Sequence, residues 1–165
     1  MAMELTDFNT APADQAAELV RACAHVERWV EAVVAGRPYA SIDEAVDAAQ
    51  QRANPWTDAE VDSALARHPR IGERAQGEHT DAQMSRREQS GVSADADTQT
   101  RLTEGNAAYE AKFGHVFLIR AAGRSAEEIL DSLEQRVTHT PDHERRIAAE
   151  QLREIAALRL RGALS

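Results

Sequence analysis

Lysine, cysteine and aromatic residues are scarce in this 165-residue chain, and each scarcity closes a class of function. Lys112 is the one lysine among 19 basic residues, which leaves little scope for Schiff-base chemistry and makes arginine the chain's cation. Cys23 stands alone and cannot form an internal disulfide, so a reducing compartment is expected. Seven aromatics and a formal charge of 19 − 28 = −9 lack the basic footprint and stacking platforms of a nucleic-acid binder. No uncharged apolar run approaches the roughly 20 residues that span a bilayer, which argues against a membrane partner. Residues 1–12 have neither a basic n-region nor an apolar h-region, and residues 163–165 do not read Ser-Lys-Leu, so a cytoplasmic location is expected. HExxH, a cysteine cluster, a phosphate-cradling glycine loop and a nucleophile elbow are all missing, so no metal site is expected and catalysis would need no cofactor. His139 and His143 are four apart, but Thr140-Pro141 opens a helix between them, so they are not a helical metal pair.

What is present is helix. Ser41 with Glu44, Thr57 with Glu60, and Ser125 with Glu128 each place a hydroxyl three residues before a glutamate that can reach back, the pattern of a capping box. Stop signals follow at Asn54-Pro55, His68-Pro69 and Thr138 to Pro141. One long helix is predicted from Asp14 to Ala35, closed by Gly36 as a C′ glycine, and others from Asp81 to Ser90 and from Ser93 to Phe113. Gly105 inside the last costs about 1 kcal/mol against alanine, so it predicts a break or close packing. Thr140-Pro141 opens a final helix with one apolar face. Val116 to Ile119 is a short apolar run too brief for a helix. The expected fold is all-α, a single-domain helical bundle over residues 1–165 with one extended segment near residues 116–120.

Four features could carry chemistry. In His68-Pro69-Arg70-Ile71-Gly72-Glu73 a histidine stands at a helix-to-loop junction stiffened by proline, where it either presents an imidazole or merely ends a helix. Ser85, Glu88 and Gln89 share one helical face, suited to gripping amide and urea groups or, more plainly, to facing water. Arg86 and Arg87 point elsewhere on that helix, toward solvent by their spacing. Arg159 continues the apolar stripe of Leu152 and Ile155, so its guanidinium either snorkels past the bundle's end or is buried against an anion. The Val116 to Ile119 run is core packing on its simplest reading, yet its amides need acceptors, and a ligand's carbonyl oxygens would serve.

Taken in order, Arg37-Pro38-Tyr39, His68-Pro69-Arg70-Ile71-Gly72, Ser85-x-x-Glu88-Gln89, Asn106-x-x-Tyr109-Glu110-x-Lys112-Phe113-Gly114, Phe117-Leu118-Ile119 and Leu158-Arg159-Leu160 span nearly the whole chain. They resemble the 2-oxo-4-hydroxy-4-carboxy-5-ureidoimidazoline (OHCU) decarboxylases of urate degradation. The resemblance implies an all-helical fold, a homodimer, and cofactor-independent loss of carbon dioxide from OHCU to give (S)-allantoin, in functional coupling to uricase and hydroxyisourate hydrolase. It makes His68 the proton donor and Glu88 its catalytic companion, orienting or charging the imidazole or crowding the departing carboxylate. Substrate contacts are implied for Pro69, the block Ser85, Arg86, Arg87, Glu88 and Gln89, the segment Phe117, Leu118, Ile119, Arg120 and Ala121, and Arg159. Backbone amides of that segment would stabilise an enolate-like oxygen. The polar stretch Glu73 to Gln83 lacks aromatic residues that some relatives carry there. Two other functions fit the residues alone: a helical interaction module binding through Arg67, Arg70, Arg74, Arg86 and Arg87, or another cofactor-free lyase or hydrolase using His68 and Glu88.

Overall fold

Each hydroxyl of the three predicted capping boxes does accept the amide it was expected to accept. Thr57 Oγ1 accepts the Glu60 N–H at 3.1 Å while Glu60 Oε1 accepts the Thr57 N–H at 2.9 Å, and Ser125 with Glu128 repeats the exchange at 3.1 and 3.2 Å. Ser41 takes the Glu44 N–H at 3.0 Å, but the Glu44 carboxylate reaches one residue further back, to the Ala40 N–H. Each such cap satisfies donors that a helix start leaves unpaired, worth about 1 kcal/mol.

The computed structural model describes residues 2–71, 80–92 and 94–165. Among the described residues the helices are α1 (Leu5–Thr10), α2 (Ala13–Cys23), α3 (Glu27–Ala35), α4 (Ile42–Arg52), α5 (Asp58–Leu65), α6 (Thr80–Glu88), α7 (Ala96–Phe113), α8 (Ala126–Arg136) and α9 (Pro141–Ala163), with a 3-10 turn at Gln89–Gly91. No strand is found among them, only an isolated parallel bridge between Met3 and Leu164, so the fold is all-α as expected. None of these helices is long and apolar enough to cross a membrane. The predicted roles of Gly72 and Glu73, the predicted helix start at Ser93, Arg74 and most of the Glu73 to Gln83 stretch lie outside the described residues.

Several boundaries differ from the sequence reading; α7, expected from Ser93, begins at Ala96 with the Asp95 carboxylate accepting the Thr98 N–H. The helix expected from Asp14 to Ala35 is two, because Ala24 (φ −158°, ψ 131°) and Val26 (φ −125°, ψ 99°) are extended. Neither proline nor glycine marks the break. Ala24 and Val26 are both buried there, α2 packs on α3, and Arg21 on α2 pairs with Glu27 on α3, so tertiary contacts outweigh a locally helical sequence. Gly36 ends α3 with φ −77°, not the left-handed value of a C′ glycine. Glycine suits it for space instead: a Cβ would run into the Tyr39 hydroxyl. Gly114 does take the left-handed conformation, φ 78°, and closes α7.

The chain contacts divide into two units. The first comprises Met1–Ala64 and Arg153–Ser165. There Trp29 donates to the Ala49 carbonyl at 2.8 Å and meets Trp56 edge-on, and Arg37 donates to the Phe8 and Ala11 carbonyls at 2.7 and 2.8 Å. Asn9 and Tyr39 exchange hydrogen bonds at 2.8 and 2.9 Å, which gives Arg37-Pro38-Tyr39 a structural role in closing α1.

The second unit comprises Leu65–Leu152. Its core gathers Leu102 and Tyr109 of α7, Ile129, Leu130 and Leu133 of α8, and Phe117, Ile119 and Ala121 from the connecting segment. Gly105 stays helical, and a Cβ there would stand 2.6 Å from Leu133 Cδ2, so of the two expectations close packing is the one realised.

Candidate active site

His68 follows α5 directly, in a turn closed by its own N–H on the Leu65 carbonyl at 3.0 Å, and its side chain is half-buried. Neighbouring residues tie this loop down on two sides. Arg67 donates to Asp81 in the first turn of α6 at 2.8 and 3.0 Å. Arg70 donates to Glu110 of α7 at 2.9 and 3.0 Å, and Asn106 of α7 donates to the Ile71 carbonyl at 3.0 Å. Pro69 is half-buried between these anchors. The His68 backbone is therefore placed by α6 and α7 rather than left to a free loop. Asn106 and Glu110, one turn apart, are the residues of the Asn106-x-x-Tyr109-Glu110 block that do this; sequence reasoning recorded the block but assigned them no role.

On α6, Ser85 is buried, while Glu88 and Gln89 are half-buried at its end and in the 3-10 turn that follows. This face is not the wholly solvated surface that Ser-Arg-Arg-Glu-Gln suggests. Arg87 is exposed, in line with its spacing, whereas Arg86 is half-buried and not simply solvent-facing. The arginine cluster is also less of a basic patch than its sequence suggests, because Asp81 and Glu110 pair with Arg67 and Arg70.

The segment from Phe117 to Ala121 is neither helix nor strand. Phe117, Ile119 and Ala121 alternate into the core cluster, as a period of two requires, and Leu118 is buried as well. Phe117 meets Tyr109 edge-on at 5.3 Å and lies under the Arg136 guanidinium, 4.5 Å from ring centroid to Cζ. These apolar side chains are committed to the core, so any ligand contact from them falls to the main chain. The Arg120 N–H is not available as the sequence reading supposed: Gln151 Oε1 accepts it at 2.9 Å. Among the described residues the N–H groups of Phe117, Leu118, Ile119 and Ala121 have no acceptor.

Beneath this segment lies a buried polar cluster of which the sequence motifs contain Tyr109 but not Arg136 or Glu144. Glu144 of α9 is fully buried; its Oε1 accepts from Tyr109 Oη at 2.5 Å and from the Arg136 guanidinium, Nε at 2.7 Å, while Oε2 faces His139 Nδ1 at 3.3 Å. Arg136 donates onward to the Leu118 carbonyl at 2.7 Å. Burial, reinforced by the Glu144 carboxylate, pushes the Tyr109 hydroxyl far above its ordinary range, so it stays a hydrogen-bond donor. Sequence pointed elsewhere because Arg136 ends a polar helix and Glu144 sits in an acidic first turn, both ordinary surface positions. His139 and His143 stack at 4.3 Å with planes 9° apart, and no group of three metal-ligating side chains exists among the described residues.

Arg159, in the first unit, is buried and donates to the Ala22 carbonyl in the last turn of α2 at 3.2 Å. Of the two fates open to it, burial is the one realised, with a helix-end carbonyl as one partner.

Comparison with known proteins agrees with this arrangement. The family model for OHCU decarboxylase matches residues 9–161. The chain is 34% identical over 140 residues to the OHCU decarboxylase of Haloferax volcanii, covering 80% of this chain and 79% of that one. It is 30% identical over 132 residues to the OHCU decarboxylase of Amia calva, covering 78% and 75%. A crystal structure of an OHCU decarboxylase in the presence of (S)-allantoin superposes with a TM-score of 0.72 at 26% identity, over 87% of this chain and 94% of that one. Family match, shared length and common fold thus converge, and the chain belongs to the OHCU decarboxylase family.

Proposed function

We propose that this chain decarboxylates OHCU to (S)-allantoin and carbon dioxide in urate degradation, as one functional domain, using only its own side chains and amides. Family membership supports the reaction. The observation that carries the site is the Phe117 to Ala121 segment, buried and with main-chain N–H groups lacking acceptors among the described residues. Buried amides are almost always paired, so donors left over in a buried segment suit a ligand's oxygens.

Loss of carbon dioxide breaks the bond from C4 to its carboxylate; the freed electron pair enters the C4–C5 bond as the C5=N electrons move to nitrogen, and transfer of the C4 hydroxyl proton to that nitrogen leaves an enolate-like oxygen on C4. Preorganised N–H donors stabilise that oxygen as charge develops. His68 then delivers a proton to one face of C5, the ureido-bearing carbon of that enolate, which restores a C4 carbonyl and makes the product a single enantiomer. Its position in a loop tied to α6 and α7 supports that role, since a general acid acts only from a fixed place. Glu88 holds or charges the imidazole, Ser85 and Gln89 hold urea and amide groups alongside Pro69, and Arg159 holds a retained oxygen. A salt bridge to the departing carboxylate would favour the ground state and oppose the reaction. Arg86 and Arg87 complete the block as contributors of positive potential. The homodimer and coupling to uricase and hydroxyisourate hydrolase belong to the same proposal, and sedimentation velocity would show the dimer as a species of twice the chain mass.

The experiment is circular dichroism of allantoin formed from urate by uricase and hydroxyisourate hydrolase, with and without this protein. Wild type should yield optically active product. His68→Asn should keep the far-ultraviolet helix signal and lower the rate of optically active product by about two to four powers of ten. Wild-type rates from His68→Asn would sink the proton-donor role.

A further inference from the structure

Arg136 and Glu144 form an ion pair that is almost wholly withdrawn from water, and stability alone does not account for it. Two buried charges forfeit hydration that apolar side chains of similar volume would not, so such a pair is weak support for a fold. The position of this pair is more telling. Glu144 Oε1 fixes the guanidinium from one side with Tyr109 Oη as a second donor, the Phe117 ring covers the Arg136 face at 4.5 Å, and the remaining fork reaches the Leu118 carbonyl at 2.7 Å. Every one of these groups lies in the unit Leu65–Leu152.

A trans peptide is planar, with its C=O and N–H pointing in opposite directions. The Leu118–Ile119 peptide is trans, since the cis bonds found are Arg37-Pro38 and Asn54-Pro55. Once Arg136 draws the Leu118 carbonyl toward the buried cluster, the Ile119 N–H must face away from it. The next amide, Arg120 N–H, is taken by Gln151. Ile119 N–H is thus the donor whose direction the buried pair sets, and it has no acceptor among the described residues.

We infer that Arg136, gripped by Glu144, is a positioning residue that locks the Leu118–Ile119 peptide plane so that the Ile119 N–H is aimed at the substrate oxygen that gains charge during decarboxylation. The inference rests on the substrate site proposed above. Arginine is required because its planar fork serves a carboxylate and a carbonyl together, whereas a lysine ammonium on a flexible stem cannot hold both in one plane.

The test has three arms on the full chain. In wild type, proton–nitrogen spectra titrated with (S)-allantoin should show the Ile119 amide shifting while the Arg120 amide, bonded within the protein, moves little. Arg136→Lys should lower kcat for optically active allantoin about 10- to 100-fold with KM changed less than about threefold, because a misaimed donor costs transition-state rather than ground-state binding. A purely structural residue would lower the amount of folded protein without that split. Arg136→Met, Glu144→Leu and Tyr109→Phe together replace the cluster with apolar groups, avoid a stranded charge, and keep the test open if Arg136→Lys does not fold. This triple variant should fold and show the same loss in kcat. Wild-type kcat in either folded variant overturns the positioning role while leaving the substrate site standing. An Ile119 amide unmoved by (S)-allantoin, in a wild type without decarboxylase activity, overturns the substrate site and the inference with it.

Discussion

Gly105 shows how one missing methyl group can be worth more than its helix propensity. In the middle of α7 an alanine would gain about 1 kcal/mol of propensity, yet its Cβ would stand 2.6 Å from Leu133 Cδ2 and 3.2 Å from Leu133 Cγ. Leu133 is fully buried in the core cluster, so it can give way only against other core side chains. Overpacking of this kind costs about 1–3 kcal/mol, so Gly105→Ala should lower stability, with a denaturant midpoint below wild type; a raised midpoint would show that Leu133 repacks freely. At this scale the sequence was legible where a residue acts on its own neighbours and opaque where it acts across the fold. Ser41, Thr57 and Ser125 announce their roles within four residues. Arg136 and Glu144 do not, because the Leu118 carbonyl that explains Arg136 lies 18 positions away in sequence and is brought to it only by the packing of Phe117 beneath the guanidinium.

Among elements, α8 shares with α5 a start specified by its own first residues. Ser125 and Glu128 exchange both capping bonds, and the backbone amide bonds to Ser125 hold the Glu128 carboxyl below its ordinary range. Ser125→Ala should cost about 1 kcal/mol, a fall in melting temperature of roughly 2–4 °C, and Ser125→Asp should recover most of it; calorimetry of the three proteins would check both. Unchanged melting in Ser125→Ala would mean that packing of Ile129, Leu130 and Leu133 alone holds the helix. Elements were misjudged where no breaker residue marks the boundary. The division of Asp14 to Ala35 into α2 and α3 follows from burying Ala24 and Val26 and from packing two helices together, neither of which a periodic pattern encodes. The stop expected at His68-Pro69 is realised, with α5 ending at Leu65, but the anchoring of the loop that carries His68 by Asn106 and Glu110 depends on α7 lying beside it.

For the molecule as a whole, acid should be the more damaging extreme of pH. Arg28 beside Glu60 holds that carboxyl down to about 2 from an ordinary 4.5, and Glu27, beside Arg21, and Asp95, capping α7, are also lowered. A carboxyl with a depressed folded pKa stabilises the protein fully above its unfolded value, and that contribution is lost as pH falls through the folded one. The Glu60 share should therefore be intact above pH 4.5 and vanish toward pH 2. Glu60→Gln should melt about 2–4 °C below wild type at pH 7 and converge with it near pH 2, an exposed pair being worth little more. Parallel melting curves across that range would remove Glu60 from the account. An all-α fold, the helix starts after Ser41, Thr57, Ser125 and Thr140, the family and the candidate residues could all be read before any coordinates, because capping, termination and ordered motifs are short-range patterns along a chain. Which amides of the Phe117 to Ala121 segment are already used, that Arg159 is buried on the Ala22 carbonyl, and that a buried Arg136–Glu144 pair orients the Leu118 carbonyl could not be read that way. Those depend on which distant groups meet once apolar side chains leave water, and hydrogen bonds made across such distances leave no spacing in the sequence to find.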